Sequence, residues 1–264
     1  DRRVFRILGS GAGGGVPQWN RVDAWNDCAR HGCVERRTQC SAAFMSDTPD
    51  EWVLINCSPD FREQWNSVLR DYPRASIRGI ILTDAELDHV GGLLSLRECK
   101  DKPVRLYAST TTQGVVEESG ILSALRAYTS VEWNTLEKLQ LHPSISMRTI
   151  ALKRPKYANK EADVLSICFG SRLVYAPVVP SVDALSKAVV SEGVVDDARI
   201  TIVDGTFETA DEMPSVSGHL SMLETLNAFN DWNMNTPLFT RKNSTNRAPF
   251  TSVSDGQEFE FDTA

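Results

Sequence analysis

Thr83-Asp84-Ala85-Glu86-Leu87-Asp88-His89-Val90-Gly91-Gly92 follows the apolar run Ile77–Leu82 and brings four metal-ligating side chains, Asp84, Glu86, Asp88 and His89, into six positions. A buried strand ending in a tight, glycine-assisted loop points short side chains at one place beside the sheet edge, where a cation compensates their charge. The same residues carry a plainer reading. Asp84 and Asp88, four apart, also suit the first turn of a helix beginning near Glu86, where they favour its dipole. Either way the stretch reads as strand, loop and helix.

Outward from that stretch, short β-branched runs alternate with amphipathic ones. Strands are expected near Val4–Leu8, Ala42–Ser46, Trp52–Asn56 and Ile77–Leu82, with helices at Phe61–Arg70 and Leu87–Glu98. The second half repeats the pattern, with strands at Val104–Tyr107, Ser146–Leu152, Val164–Phe169, Arg172–Tyr175, Ile200–Val203 and Pro237–Thr240 and helices around Gln113–Tyr128, Asp183–Ser191 and Ser221–Phe229. Ser254–Phe261 alternates polar and apolar residues around an Asp-Gly turn and reads as a closing edge strand. No Pro/Gly/Ser linker and no repeat divides the 264 residues, so residues 1–264 are expected to form one α/β domain with a sizeable core.

A net charge of −7 without a Lys/Arg cluster argues against nucleic acid as a partner. No apolar run approaches the roughly 18–20 residues that span a bilayer. Asp1-Arg2-Arg3-Val4 offers no signal-peptide core, although a chain that does not begin with Met leaves the true N-terminus open. The expectation is a cytoplasmic protein without a membrane partner; a homodimer stays open. Cys40, Cys57, Cys99 and Cys168 sit beside apolar positions as small core residues do. Cys28-Ala29-Arg30-His31-Gly32-Cys33 differs, because Cys28, His31 and Cys33 are all zinc-ligand types in one loop. They read either as a structural zinc site completed from elsewhere or as a surface loop with two thiols. His31 and His142 otherwise read as surface residues. Gly11–Gly15 lacks the Lys-Ser/Thr of a phosphate loop and reads as a strand-end loop with close backbone packing.

In chain order, eight stretches resemble landmarks of the pyrroloquinoline quinone (PQQ) synthesis protein B family of the metallo-β-lactamase superfamily, over nearly the whole chain. They are Gly11-Ala12-Gly13-Gly14-Gly15-Val16-Pro17-Gln18-Trp19-Asn20, Arg37-Thr38-Gln39, Asn56-Cys57-Ser58-Pro59-Asp60, Thr83–Gly92, Leu173-Val174-Tyr175-Ala176-Pro177, Val203-Asp204-Gly205-Thr206, Gly218-His219-Leu220 and Asn243-Ser244-Thr245-Asn246. The resemblance implies an αββα sandwich. The superfamily's first motif is Thr-His-x-His-x-Asp-His; Asp84 and Glu86 stand where its first two histidines do, while Asp88 and His89 are kept. The family usually has Gln at position 86, histidine at 241 and a Cys-x-Cys-x-x-Cys zinc knuckle after Trp19-Asn20, where this chain has Arg21 and Asp23. Ala176-Pro177 replaces the bridging-aspartate region, and a third-strand ligand would fall among Asn159, Glu161 and Asp163.

What the resemblance implies for chemistry is a metal site drawing on Asp84, Glu86, Asp88, His89 and His219, in character suited to iron(II) and open to zinc. It makes His219 a general acid or base oriented by Asp204; the bland alternatives are a helix N-terminal histidine and a turn aspartate. Arg241 either displaces a metal or grips an anionic substrate group with its fork, and Asn243 is the other expected substrate contact. The implied function is a metal-dependent oxygenase or hydroxylase acting on an amino-acid-derived or carrier-peptide-linked intermediate in PQQ-like cofactor or natural-product biosynthesis. A metallo-hydrolase of an ester or amide and a metal-free binding or carrier protein remain as alternatives. Asp88 and His89 favour metal chemistry; the missing histidines and Arg241 favour the metal-free protein.

Overall fold

β1 (Arg2–Gly9) shows how the sequence makes the layers: Val4 and Leu8 face one way, and Phe5 and Ile7 the other, so both faces of the strand are buried. The computed structural model describes residues 2–48, 50–139, 147–157, 160–190, 200–213, 218–243, 245–246 and 250–262. In the first sheet, β1 is joined by β2 (Ser41–Met45), β3 (Glu51–Ile55), β4 (Ser76–Ile81), β5 (Val104–Tyr107), β6 (Val131–Asn134) and β12 (Glu258–Asp262), in the order β12-β1-β2-β3-β4-β5-β6. The second sheet holds β7 (Met147–Tyr157), β8 (Lys160–Phe169), β9 (Leu173–Ala176), β10 (Ile200–Asp204) and β11 (Leu238–Thr240), in the order β11-β10-β9-β8-β7.

The facing sides of the two sheets share one core, in which Phe5 and Phe44 of the first sheet pack on Phe169 of the second. On the outer side of the first sheet, Leu54 and Ile80 are covered by Phe61 and Val68 of α2 (Phe61–Asp71). Outside the second, Val174 and Val203 are covered by Leu185 of α6 (Val182–Val189) and Phe229 of α7 (Met222–Asp231). Helices outside and sheets within give the expected αββα sandwich. The Ser254–Phe261 expectation also holds, because β12 pairs antiparallel with β1 at the sheet edge. No helix among the described residues is long and apolar enough to cross a membrane.

Three elements differ from expectation. Gln113–Tyr128 is two helices, α4 (Thr110–Glu118) and α5 (Ile121–Arg126), because Gly120 adopts φ 81° between them and ends the first. Leu87–Glu98 is a single α-turn, α3 (Leu87–Val90), followed by a 3₁₀ segment over Gly91–Glu98. Gly92 there lies so close to the Ser58 backbone that a Cβ would sit 2.0 Å from its carbonyl oxygen. Val131–Asn134 forms a fourth parallel neighbour, β6, which four residues of mixed polarity do not announce. Ser146, the expected start of a strand, lies outside the described residues.

β3 to β6 run parallel, as do β9 to β11. The C-terminal ends of β4, β10 and β11 deliver Asp84, Asp204 and Arg241 to one edge of the sandwich, the place where open α/β sheets present ligand sites. Leu165 N–H donates to the Thr83 carbonyl at 2.8 Å and ties the two sheets together at that edge.

Candidate functional site

The loop after β4 is shaped from below by Asn56, a buried residue at φ 65° whose Oδ1 accepts from Thr83 N at 2.9 Å and Thr83 Oγ1 at 3.0 Å. Asp84 Oδ1 accepts from Glu86 N at 3.0 Å, turning the chain into α3, and from His89 Nδ1 at 2.6 Å. Cys57 N donates to the His89 carbonyl at 2.7 Å, so the histidine is fixed at backbone and ring. His89 has no exposed surface.

Arg241, also at positive φ (56°), extends the second sheet's edge into this loop. Its Nη1 contacts His89 Nε2 and lies 3.1 Å from Asp88 Oδ2; its Nη2 lies 3.2 Å from Glu86 Oε2; and its Nε lies 3.4 Å from Thr206 Oγ1. Backbone bonds on either side, Ala12 N to the Lys242 carbonyl (3.0 Å) and Lys242 N to the Ser10 carbonyl (2.9 Å), pin Arg241 beside the glycine loop. Gly13 belongs to that loop, and a Cβ on it would touch the Asp88 carboxyl.

Thr206 continues the network. Its hydroxyl donates to Asp204 Oδ1 at 2.7 Å, while Asp204 Oδ2 accepts from His219 Nδ1 at 2.6 Å and from Val179 N at 3.1 Å. His219 is half-buried, with the Phe207 ring edge-on at 5.8 Å.

The charges follow from these contacts. Burial opposes ionisation of Asp88, but Arg241 and His89 hold its carboxyl below the ordinary range; burial likewise opposes the charge of Asp204, and His219 and Arg241 prevail there. Burial also disfavours a charged His89, yet Asp84 and Asp88 outweigh it and push that pKa well up. A guanidinium has no acceptor, so the Nη1 contact opposes a second proton on the ring: it is made by a ring whose Nε2 accepts and whose Nδ1 donates to Asp84, and protonation of Nε2 requires Nη1 to turn away.

Among the described residues, Asp84, Glu86 and His89 are the one set of three metal-ligand types whose donor atoms fall within 4.8 Å of one another. Asp84 Oδ2 is buried there without a hydrogen-bond partner. The same place is taken by Arg241, 3% exposed, whose fork lies on Glu86 and His89. A carboxylate attracts a divalent ion as strongly as a guanidinium at the same distance repels it, so the obstacle is occupancy: the Arg241 fork lies against Glu86, Asp88 and His89, where an ion would sit. With Arg241 so placed, the residues present do not fit a metal.

The structure places the other expected residues as follows. Asp88 and His219 do not join the convergent set: Asp88 pairs with Arg241, and His219 is turned to Asp204. Arg241, 3% exposed, directs its guanidinium at Glu86, Asp88, His89 and Thr206. Asn243 is half-buried, and its carbonyl accepts from Asn246 N at 3.1 Å. Among the described residues, Cys28, His31 and Cys33 are not a group of three whose donor atoms all fall within 4.8 Å of one another, and exposed His31 places Nδ1 2.8 Å from the Asp27 carbonyl. Asp163 is buried and accepts from Ser109 Oγ at 2.7 Å; Asn159, the Glu161 side chain, His142 and Ser244 lie outside the described residues. Thr206 and Asn56 stand within the landmark stretches, but their positioning roles emerge only in the structure. Asp204-Gly205-Thr206 carries a local signal for the first, since an aspartate accepting from the residue two ahead makes an Asx-turn.

Residues 51–240 match the β-lactamase superfamily domain. Coenzyme PQQ synthesis protein B of Xanthomonas oryzae pv. oryzae (strain MAFF 311018) is 30% identical over 98% of this chain and 93% of its own length. The protein of the same name from Methylococcus capsulatus is 31% identical over 80% and 75%. Among solved structures, zinc-bound PqqB from Methylobacterium extorquens aligns with a TM-score of 0.74 at 24% identity, covering 97% of this chain and 99% of its own. A diphosphatase from the PhnP family aligns at 0.69 and 21%, covering 99% and 98%. Both structural likenesses concern the fold.

Proposed function

Because the chain belongs to the β-lactamase superfamily and, within it, to the coenzyme PQQ synthesis protein B family, we propose that it serves the biosynthesis of PQQ or a PQQ-like cofactor. In this reading it is a metal-free protein that binds an amino-acid-derived or carrier-peptide-linked intermediate. The observation that carries the metal-free reading is the Arg241 guanidinium on Glu86, Asp88 and His89, a cation built into the chain where a metal would compensate the same charges. Asp204 fixes the His219 ring through Nδ1, the orientation a general acid or base needs.

Metal analysis of the protein after anaerobic incubation with iron(II) or zinc(II) and removal of loose ions tests this. Substoichiometric metal in the parent chain, with one ion gained by Arg241→His, supports it. One tightly held ion in the parent, lost in His89→Ala, overturns it.

A second reading, the iron(II)-dependent hydroxylase, is favoured by the convergence of Asp84, Glu86 and His89 and by the unpaired Asp84 Oδ2. It requires Arg241 to leave its place. Iron-dependent oxygen consumption by the parent chain in the presence of a tyrosine-containing peptide would establish it.

A further inference from the structure

α1 (Ala24–Arg30) ends in a way that places two sulfurs together. His31 closes the helix, Gly32 takes φ 79° with open space where a Cβ would stand, and the chain folds back so that Cys33 N donates to the Cys28 carbonyl at 2.8 Å. Gly32 N donates to the Ala29 carbonyl at 3.3 Å. These are the two bonds of a Schellman motif, whose geometry sets the side chain three positions before the helix end against the one two positions after it. That contact is usually apolar; here both members are cysteine.

We infer that Cys28 and Cys33 form a reversible dithiol–disulfide pair, preset by the end of α1, that exchanges with small-molecule disulfides. The backbone bond between the two residues holds them at the short range a bridge needs, typically about 5.5–6 Å between α-carbons. The thiols already interact: contact with Cys33, then burial, raises the Cys28 thiol above its ordinary value. Cys33 is exposed and Cys28 half-buried, whereas Cys40, Cys57 and Cys168 are buried. The frame is held without the sulfurs. Asp23 caps α1 through Trp25 N and Asn26 N, Arg30 Nη2 donates to the Gln18 and Arg21 carbonyls, and Val16 and Arg37 exchange two backbone bonds at the loop base.

With glutathione disulfide as oxidant, the Cys33 thiolate attacks one sulfur and releases one glutathione thiolate. The Cys28 thiolate then attacks the Cys33 sulfur of the mixed disulfide and releases the second. Two protein thiols are oxidised, one disulfide is reduced to two glutathiones, and the two cysteine protons pass through solvent to those glutathione thiolates.

The test is to equilibrate the whole, chelator-treated protein with graded ratios of oxidised to reduced glutathione, quench with acid, alkylate and map the peptides. The expected result is a bridged Cys28–Cys33 peptide two hydrogens lighter, both sulfurs protected, reopened by excess reduced glutathione. In Cys28→Ser, the glutathione adduct on Cys33 should accumulate. Stable glutathione adducts in the parent without the bridged peptide would overturn the inference. So would free, alkylated Cys28 and Cys33 at ratios that fully modify Cys33 in Cys28→Ser.

Discussion

The site contains the same pair twice. Asp84 with His89, in the loop after β4, and Asp204 with His219, at the end of β10, each join a carboxylate oxygen to Nδ1 at 2.6 Å. What differs is the remainder of the imidazole's surroundings. His89 is fully buried and its Nε2 meets Arg241, whereas His219 is half-buried beside the Phe207 ring. The two pairs thus differ in how deeply the ring is buried and in Arg241, which meets the first ring directly. Arg241 reaches the second pair through Thr206.

The largest expected effect comes from removing that cation. Arg241→Met leaves buried carboxylates uncompensated and should cost about 3–5 kcal/mol in urea unfolding. Arg241→His in the presence of zinc(II) should recover part of that loss. If Arg241→Met unfolds like the parent, the guanidinium does not hold the first pair.

Asp84→Asn exchanges a charged partner of His89 for a neutral one. It should cost about 1.5–3 kcal/mol, the range for hydrogen bonds to charged groups. Asp204→Asn probes the second pair through pH. The folded-state pKa of Asp204 lies below its ordinary value, so its contribution is fully present above about pH 4 and is lost as pH falls through the folded value. Stability of Asp204→Asn should therefore fall less steeply than that of the parent below about pH 4; equal slopes would show that the His219 contact does not govern this carboxyl. His219→Gln, whose amide can still donate to Asp204 alongside Thr206 and Val179 N, should be the mildest, about 0.5–1.5 kcal/mol, while weakening intermediate binding. A loss as large as that of Arg241→Met would erase the contrast between the two pairs.

The layers and the site's location are legible in the sequence, because period-two apolar runs such as Val4–Leu8 and the dense Thr83–Gly92 stretch are local signals. The break of α4 from α5 at Gly120 is less so, since an isolated glycine in an amphipathic pattern does not state its φ. The role of Arg241 is not legible. Whether it displaces a metal or grips a substrate depends on how β4, β10 and β11 converge and on a left-handed backbone at position 241, and no run of neighbouring residues encodes either. Cys28 and Cys33 show the same limit: their spacing suggests a metal, while the chain reversal at Gly32 directs the sulfurs at each other and His31 outward.

Anomalous diffraction from crystals of the parent chain and of Arg241→His, each soaked in zinc(II), measures the central claim most directly. The expected result is no peak within about 2.5 Å of Glu86 or His89 in the parent, a generous metal–ligand limit, with Arg241 on Glu86 and Asp88, and a strong peak in Arg241→His. A peak among Asp84, Glu86 and His89 in the parent, with Arg241 swung away, would contradict it.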